Sequence, residues 1–536
     1  MGAMSQPPNI DLLGVIELKA LVLELLAKVT EQERTIAALR DEILRLKGGP
    51  GRPNVKANVR PSGMDKATDE PRGHGKAGKS RRRRGSRRDK LTITDERRLE
   101  AEEVPAGSRF KGYASYLVQD LVIRPQVTLY RRELWQTPDG RMVVAPLPDG
   151  IDGHFGPELR RFVLMQYYQG QVTVARLVTL LRSFGIVVSK RQVMRLLNDG
   201  KDAFLAEAQA VLQAGLSNAP WVTVDDTGAR HKGSNGYCTQ IGNDRFTWFS
   251  TTGSKSRVNF LELLRAGSSA YVLNEAAFAY MRERALPATL IARLAQDGAR
   301  RFTDKAAWQA YLDDLNLAAH SANANAALIA TEGALWGAVH GLLDGTVIIS
   351  DDAGQFNVGE HGLCWVHAER LVHKLDTFTE AQRKAQAMVR RLIWRFYRAL
   401  KAYRRHPSAT RKATLRARFD RIFARKTGFV VLDRLLKRLH ANKAELLKVL
   451  DHPEIPLHTN GSENDIRCHV TKRKISGGTR SDIGRDCRDA FLGLSKTCAK
   501  LGISFADYLG DRLNVPGAPL VPPLAQLVAI PDLRPD

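Results

Sequence analysis

Cysteine is scarce in this chain of 536 residues: Cys238, Cys364, Cys468, Cys487 and Cys498 are its five thiols, and none belongs to a Cys-x-x-Cys pair. Scattered thiols do not make a disulfide framework, so a reducing, cytoplasmic setting is expected, and zinc is not expected as a cofactor. Long hydrophobic runs are missing too. No stretch of about 18 apolar residues offers a membrane span, and the opening residues lack the charged-then-apolar order of a secretory leader. Acidic residues are outnumbered. Against 82 Lys and Arg stand 57 Asp and Glu, giving a formal net charge of +25 and a pI near 10.0. That imbalance calls for a polyanionic partner, most simply nucleic acid. Charge alone would equally suit a ribosomal or membrane-surface protein.

What is present narrows the choice. Trp221–Ser256 reads as three short strands, WVTVDD, NGYCTQIG and RFTWFSTT, with Gly242-Asn243-Asp244 as a tight connection. The first strand is expected to end at Asp225-Asp226. A second β-branched run, Gly345–Phe356, ends in Asp351-Asp352. Aspartate also ends strands for purely local reasons, so neither pair is informative alone. A third stretch, His458–Ser481, opens with turn and cap residues and runs into a helix bearing Glu463, followed by Arg467, Lys472, Arg473 and Lys474. Carboxylates carried by two strands and a helix are hard oxygen ligands for Mg²⁺, held rigidly at the few-ångström spacing of a two-metal site. Adjacent cations can fix phosphodiesters, although a solvated basic helix face would look the same. Neighbouring strand residues point to opposite faces, so one aspartate of each pair should stand aside.

These segments resemble transposases of the insertion-sequence-sixty-six family. The likeness rests on Asp225-Asp226-Thr227; on Asp351, Phe356 and Cys364-Trp365-Val366-His367; and on Asn460-Gly461-Ser462-Glu463 with Arg467 and Arg473-Lys474. It runs from about Phe155 to Leu509. The resemblance implies an α/β fold, a ribonuclease-H-like DDE core with helical insertions; an N-terminal coiled coil, a β-hairpin and a helix-turn-helix region are expected ahead of it from the residues themselves. The resemblance also implies a DNA transposase that binds insertion-sequence ends and performs Mg²⁺-dependent strand cleavage and strand transfer. Asp225, Asp351 and Glu463 would be the catalytic and metal-holding residues, with Asp226 and Asp352 the less favoured members of their pairs. Two Mg²⁺ ions are expected, with Mn²⁺ able to substitute. The implied partners are double-stranded DNA, as element ends and target, and small accessory proteins, in a bacterial, nucleoid-associated setting. The chain departs from many relatives in having no cysteines ahead of the core for their small zinc module. Cys364 and His367 supply half a zinc site and are read as a packed motif beside the second strand; no catalytic task falls to His231 or His458. Two alternatives stay open: a nuclease without strand transfer, and a non-catalytic DNA-binding relative.

The rest of the chain is parsed around that core. Residues 14–47 are expected to form a dimerising coiled coil. Leu18, Leu25, Leu39 and Leu46 alternate with Val22, Val29, Ile36 and Ile43 at steps of three and four, a pattern that favours a parallel two-stranded zipper and hence a homodimer or larger oligomer. Residues 48–105 form a basic linker with too little apolar content to fold alone. Its Arg81, Arg82, Arg83 and Arg84 would contact DNA phosphates without sequence preference. Residues 106–150 hold a β-hairpin across Thr137-Pro138-Asp139-Gly140. Residues 151–215 contain a helix-turn-helix, with a helix over Val174–Ser183 and a second one capped by Ser189 that presents Lys190, Arg191 and Arg195 to DNA. The core spans 216–510, with helical insertions at about 268–343 and 376–452, and 511–536 is a tail.

Overall fold

The described residues carry nine strands: β1 (Leu134–Gln136), β2 (Met142–Val144), β3 (Trp221–His231), β4 (Ser234–Gly242), β5 (Thr247–Thr252), β6 (Tyr271–Leu273), β7 (Arg300–Phe302), β8 (Val347–Ser350) and β9 (His361–Leu363). The computed structural model describes residues 93–530, except 102, 149, 150, 152, 297, 299 and 318–323. The expected zipper, and Arg81, Arg82, Arg83 and Arg84, lie outside the described residues.

Five strands make one mixed sheet in the order β5-β4-β3-β8-β9. β3 pairs antiparallel with β4, which pairs antiparallel with β5; β8 lies parallel to β3 on its other side, and β9 parallel to β8. The strand β3 overruns its expected end. It continues past Asp225-Asp226 to His231, then turns through Lys232 and Gly233, both at positive φ (49° and 80°). Two left-handed residues are what a type I′ hairpin needs to match strand twist, so the aspartates sit within the strand and not at its mouth. The β4–β5 turn is held by Asn243, whose Oδ1 accepts from the backbone N–H groups of Arg245 (2.8 Å) and Phe246 (3.2 Å).

Both faces of the sheet are buried, which explains the unbroken β-branched run of β8. Ile348 packs into one apolar cluster with Val222, Val224 and residues of the helices Asp202–Asn218 and Asp482–Leu501. Its neighbours Val347 and Ile349 point the other way, into a cluster built by the helices Trp365–His373, Glu380–Arg405, Ala409–Phe423 and Val430–Ala441. The long Glu380–Arg405 helix buries Val389, Ile393, Phe396, Tyr397 and Leu400 and leaves Arg391, Arg395 and Arg398 exposed.

Three regions differ from expectation. The N-terminal hairpin is short, with only three residues in each strand, all exposed. The 268–343 insertion is not wholly helical, because β6 and β7 pair antiparallel within it; three-residue strands are too short to register as alternation. Within that insertion, and against the expectation of no such run, Ala324–Leu343 is long and apolar enough to cross a membrane. Ala327, Ala330, Ala334 and Leu335 are buried in the protein core, and the buried Glu332 accepts a hydrogen bond from Tyr280 Oη (2.8 Å). Lastly, 511–536 is not a featureless tail. A helix, Leu524–Ala529, buries Leu524 and Val528, and Glu207 accepts the Leu524 N–H at 3.0 Å.

Candidate active site

The central strand positions the first carboxylate. Asp225 lies half-buried in β3, and its own Oδ1 accepts the Asp226 N–H at 2.8 Å. Burial raises its carboxyl to about 7, and the nearby charges of Asp351 and Glu463 add to the rise; the Asp226 N–H and His367 oppose it. Asp351 follows β8 directly, so the parallel β3–β8 pairing brings it beside Asp225; its Oδ1 accepts the Ala353 N–H at 3.1 Å. Glu463 stands in the first turn of the helix Asn460–Ser476. That helix is tied to the sheet by Ser462, whose Oγ donates to Thr223 Oγ1 at 2.5 Å, two residues before Asp225.

The second aspartate of each pair is engaged elsewhere. Asp226 takes an ion pair from Lys255 Nζ (2.8 Å) and a hydrogen bond from Gln355 Nε2 (2.8 Å). Asp352 pairs with Arg438 (2.9 Å) and accepts from Asn442 Nδ2 (3.1 Å). Alternation along a strand explains the first separation; the second arises because Asp351 turns back onto its own loop.

The Cys-Trp-Val-His segment, expected as plain packing, joins the second carboxylate region to the third. Cys364 Sγ accepts the Thr459 N–H (3.4 Å) at the start of the glutamate helix. Trp365 is buried against Phe396, Phe419 and Phe423, and its Nε1 donates to Leu446 O (2.9 Å). His367 Nε2 and Arg370 Nη1 each lie 3.5 Å from Glu463 Oε1. Burial works against a charge on His367, yet Cys364 and Glu463 outweigh it and hold the imidazole above its usual range, against Arg370. Two cations thus face Glu463. Sequence reasoning passed over Arg370, Lys255 and Gln355; the spacing His367–Arg370, one helical turn after a Cys-Trp pair, was the available signal.

The expected DNA contacts divide. The helix Val174–Ser183, the turn at Gly185 (φ 83°) and the helix Lys190–Asn198, with a Ser189–Gln192 capping box, are all present. Val193 and Leu197 face inward, while Lys190, Arg191 and Arg195 are exposed. Beyond Glu463, Arg467 and Lys474 are exposed and Arg473 lies half-buried close to Gly228. Lys472 is not on that surface: it is buried, donates to Tyr167 O (2.6 Å) and covers the Tyr167 ring. His231 serves the fold, bridging Thr479 (2.8 Å) and Asp482 (3.0 Å).

Carboxylates from three elements that sense one another's charge, one of them short of a negative charge chiefly through burial and further through its acidic neighbours, form a site that a divalent cation would relieve. Residues 152–280 and 343–486 match the model described as the Transposase IS66 family, and the break between them falls in the first insertion. An uncharacterized protein of Sinorhizobium fredii, y4jO, is 53% identical over 321 residues, which is 60% of this chain and 99% of that protein.

Proposed function

The chain belongs to the Transposase IS66 family, and from that premise we propose that it binds the ends of an insertion sequence and catalyses Mg²⁺-dependent cleavage and strand transfer into target DNA. One observation carries the reading. Asp225, Asp351 and Glu463, from three distant stretches, share one electrostatic site, while Asp226 and Asp352 are neutralised by other partners. The order β5-β4-β3-β8-β9, with three antiparallel strands and two more parallel to the central one, supports a ribonuclease-H-like core.

Asp225, Asp351 and Glu463 would hold the metal. Bound there, Mg²⁺ would lower the pKa of a water or a DNA 3′-hydroxyl and stabilise the leaving oxygen. The protein's own residues do the rest. β3 and β8 fix two carboxylates on a rigid sheet, and His367 with Arg370 hold Glu463 in position. Lys255, which also feels the charge of Asp351, and Arg473 are placed to steady a phosphodiester. Lys190, Arg191 and Arg195 would read the element end from the second helix of the pair. The zipper would bring two chains, and so two ends, together.

A joining assay with a precut 3′-end tests this. Wild type is expected to transfer the end into a plasmid, whereas Asp225→Ala, Asp351→Ala and Glu463→Gln retain DNA binding without transfer. Cleavage with no joined product would make the chain a nuclease instead.

A further inference from the structure

Behind the helix that carries Glu463 lies a second cluster, unused by the chemistry above. Cys238 on β4, His469 on the Asn460–Ser476 helix and Asp489 on the Asp482–Leu501 helix each offer a donor atom, all within 4.8 Å of one another. All three are buried. His469 is 1% exposed, yet neither of its ring nitrogens has a hydrogen-bond partner among the described residues. A buried imidazole left unmet on both sides is unfavourable for a finished core.

Its nearest acidic atom, Asp489 Oδ1, is 3.6 Å from Nε2. That is long for a hydrogen bond. It matches the edge of a tetrahedron instead, since nitrogen and oxygen ligands at ordinary zinc distances sit ~3.3–3.6 Å apart. Asp489 is held in place, with Oδ2 accepting the Thr251 N–H at 2.7 Å and Oδ1 in an ion pair with Arg488, whose Nε donates at 2.9 Å and whose Nη2 lies at 2.8 Å. Burial alone would raise its pKa, but Arg488, His469 and Thr251 hold it at about 2. Cys238, in contrast, is pushed well above the usual thiol range by burial.

We propose that Cys238, His469 and Asp489 form a structural zinc site that braces the glutamate-bearing helix against β4 and the Asp482–Leu501 helix. A thiolate, an imidazole and a carboxylate make a mixed donor set that suits zinc and not Mg²⁺. On binding, Cys238 releases its proton to solvent, and two anionic ligands balance the ion. The fourth position is open to water or to Cys468, the next-door residue packed against the same cluster. His469 lies six residues beyond Glu463, ~9 Å along the helix axis, so Ser462 pins one part of this helix and the metal another. No spacing motif announces the site because its ligands come from three elements. The competing arrangement is a dry Arg488–Asp489 ion pair beside a neutral imidazole, which takes up no metal.

The test uses the full chain purified without added metal and reads zinc by plasma mass spectrometry. About one zinc per chain is expected in wild type and in the control Cys364→Ser, with most of it lost in Cys238→Ser and His469→Ala variants that retain native circular dichroism. Stripped wild type and Asp225→Ala should bind Co²⁺ with a near-ultraviolet thiolate charge-transfer band and strong tetrahedral visible bands, absent in Cys238→Ser. Full zinc retention in folded Cys238→Ser and His469→Ala overturns the proposal. So does a wild-type Co²⁺ spectrum without the thiolate band, which decides the matter even if a variant does not fold. Neither readout involves DNA, so failure here leaves the transposase reading standing.

Discussion

Asp225 shows what the site demands of a single residue. Its carboxyl is raised from an ordinary 3.8 to about 7, chiefly by burial. In metal-free protein the folded state therefore keeps a proton that the unfolded chain has lost, between about pH 4 and pH 7. Stability must fall as pH rises through that window, and the deficit is complete above it. Asparagine does not titrate. In EDTA at pH 8, Asp225→Asn is expected to unfold with more difficulty than wild type, by on the order of 2 kcal/mol, with no difference at pH 4. Equal melting at both pH values would show that the carboxylate is not strained. His367 offers the complementary case, a cation that holds a ligand. His367→Ala should raise the Mg²⁺ concentration needed for half-maximal cleavage and slow the reaction by about 10–100-fold, with DNA affinity unchanged. An unaltered Mg²⁺ dependence in that variant would mean His367 only packs.

At the scale of elements, sequence and structure agree where periodicity is strong and part where it is not. The two helices Val174–Ser183 and Lys190–Asn198 were legible because caps and apolar spacing coincide: Ser189 caps, Gly185 turns, and Val193 and Leu197 face in. The glutamate helix was placed from its cap residues, but its inward face could not be read. That face is made of Ser462, Asp465, His469 and Lys472, all buried and polar apart from the neighbouring Ile466. Asp465 is matched by Lys500 at 2.5 Å and by Thr247 at 2.7 Å, partners more than thirty positions away that no local pattern reveals. The same polar composition disguised Lys472 as a surface cation. β3 was cut short because Asp225-Asp226 resembles a strand end, and Lys-Gly is a weaker hairpin signal than Asn-Gly. The Asp482–Leu501 helix packs on β5 through Gly493, where a Cβ would stand 2.9 Å from Thr247 O. Gly493→Ala should therefore destabilise the protein by ~1–3 kcal/mol despite its better helix propensity. Chemical denaturation measures this, and a stabilised variant would show that the helix is free to shift.

The whole molecule pairs a large positive charge with a compact anionic site. Its +25 net charge would supply affinity for the phosphate backbone of DNA, and a few outward side chains would supply selectivity. If Lys190, Arg191 and Arg195 lie on DNA, changing all three to Ala should lower the slope of log affinity against log salt by up to about 3. Fluorescence anisotropy on end-bearing and unrelated duplexes would read it, and an unchanged slope places the interface elsewhere. Asp225, Asp351 and Glu463 would hold the metal, and Asp226 and Asp352 would not. Mn²⁺ binding, followed by electron paramagnetic resonance at pH 8 without DNA, tests this most directly because it needs neither the element ends nor accessory proteins. Asp225→Ala, Asp351→Ala and Glu463→Gln are predicted to lose affinity by about tenfold or more, whereas Asp226→Asn and Asp352→Asn bind as wild type does. Wild-type affinity in the Asp225 or Glu463 variant, or its loss in the Asp226 variant, would contradict the account.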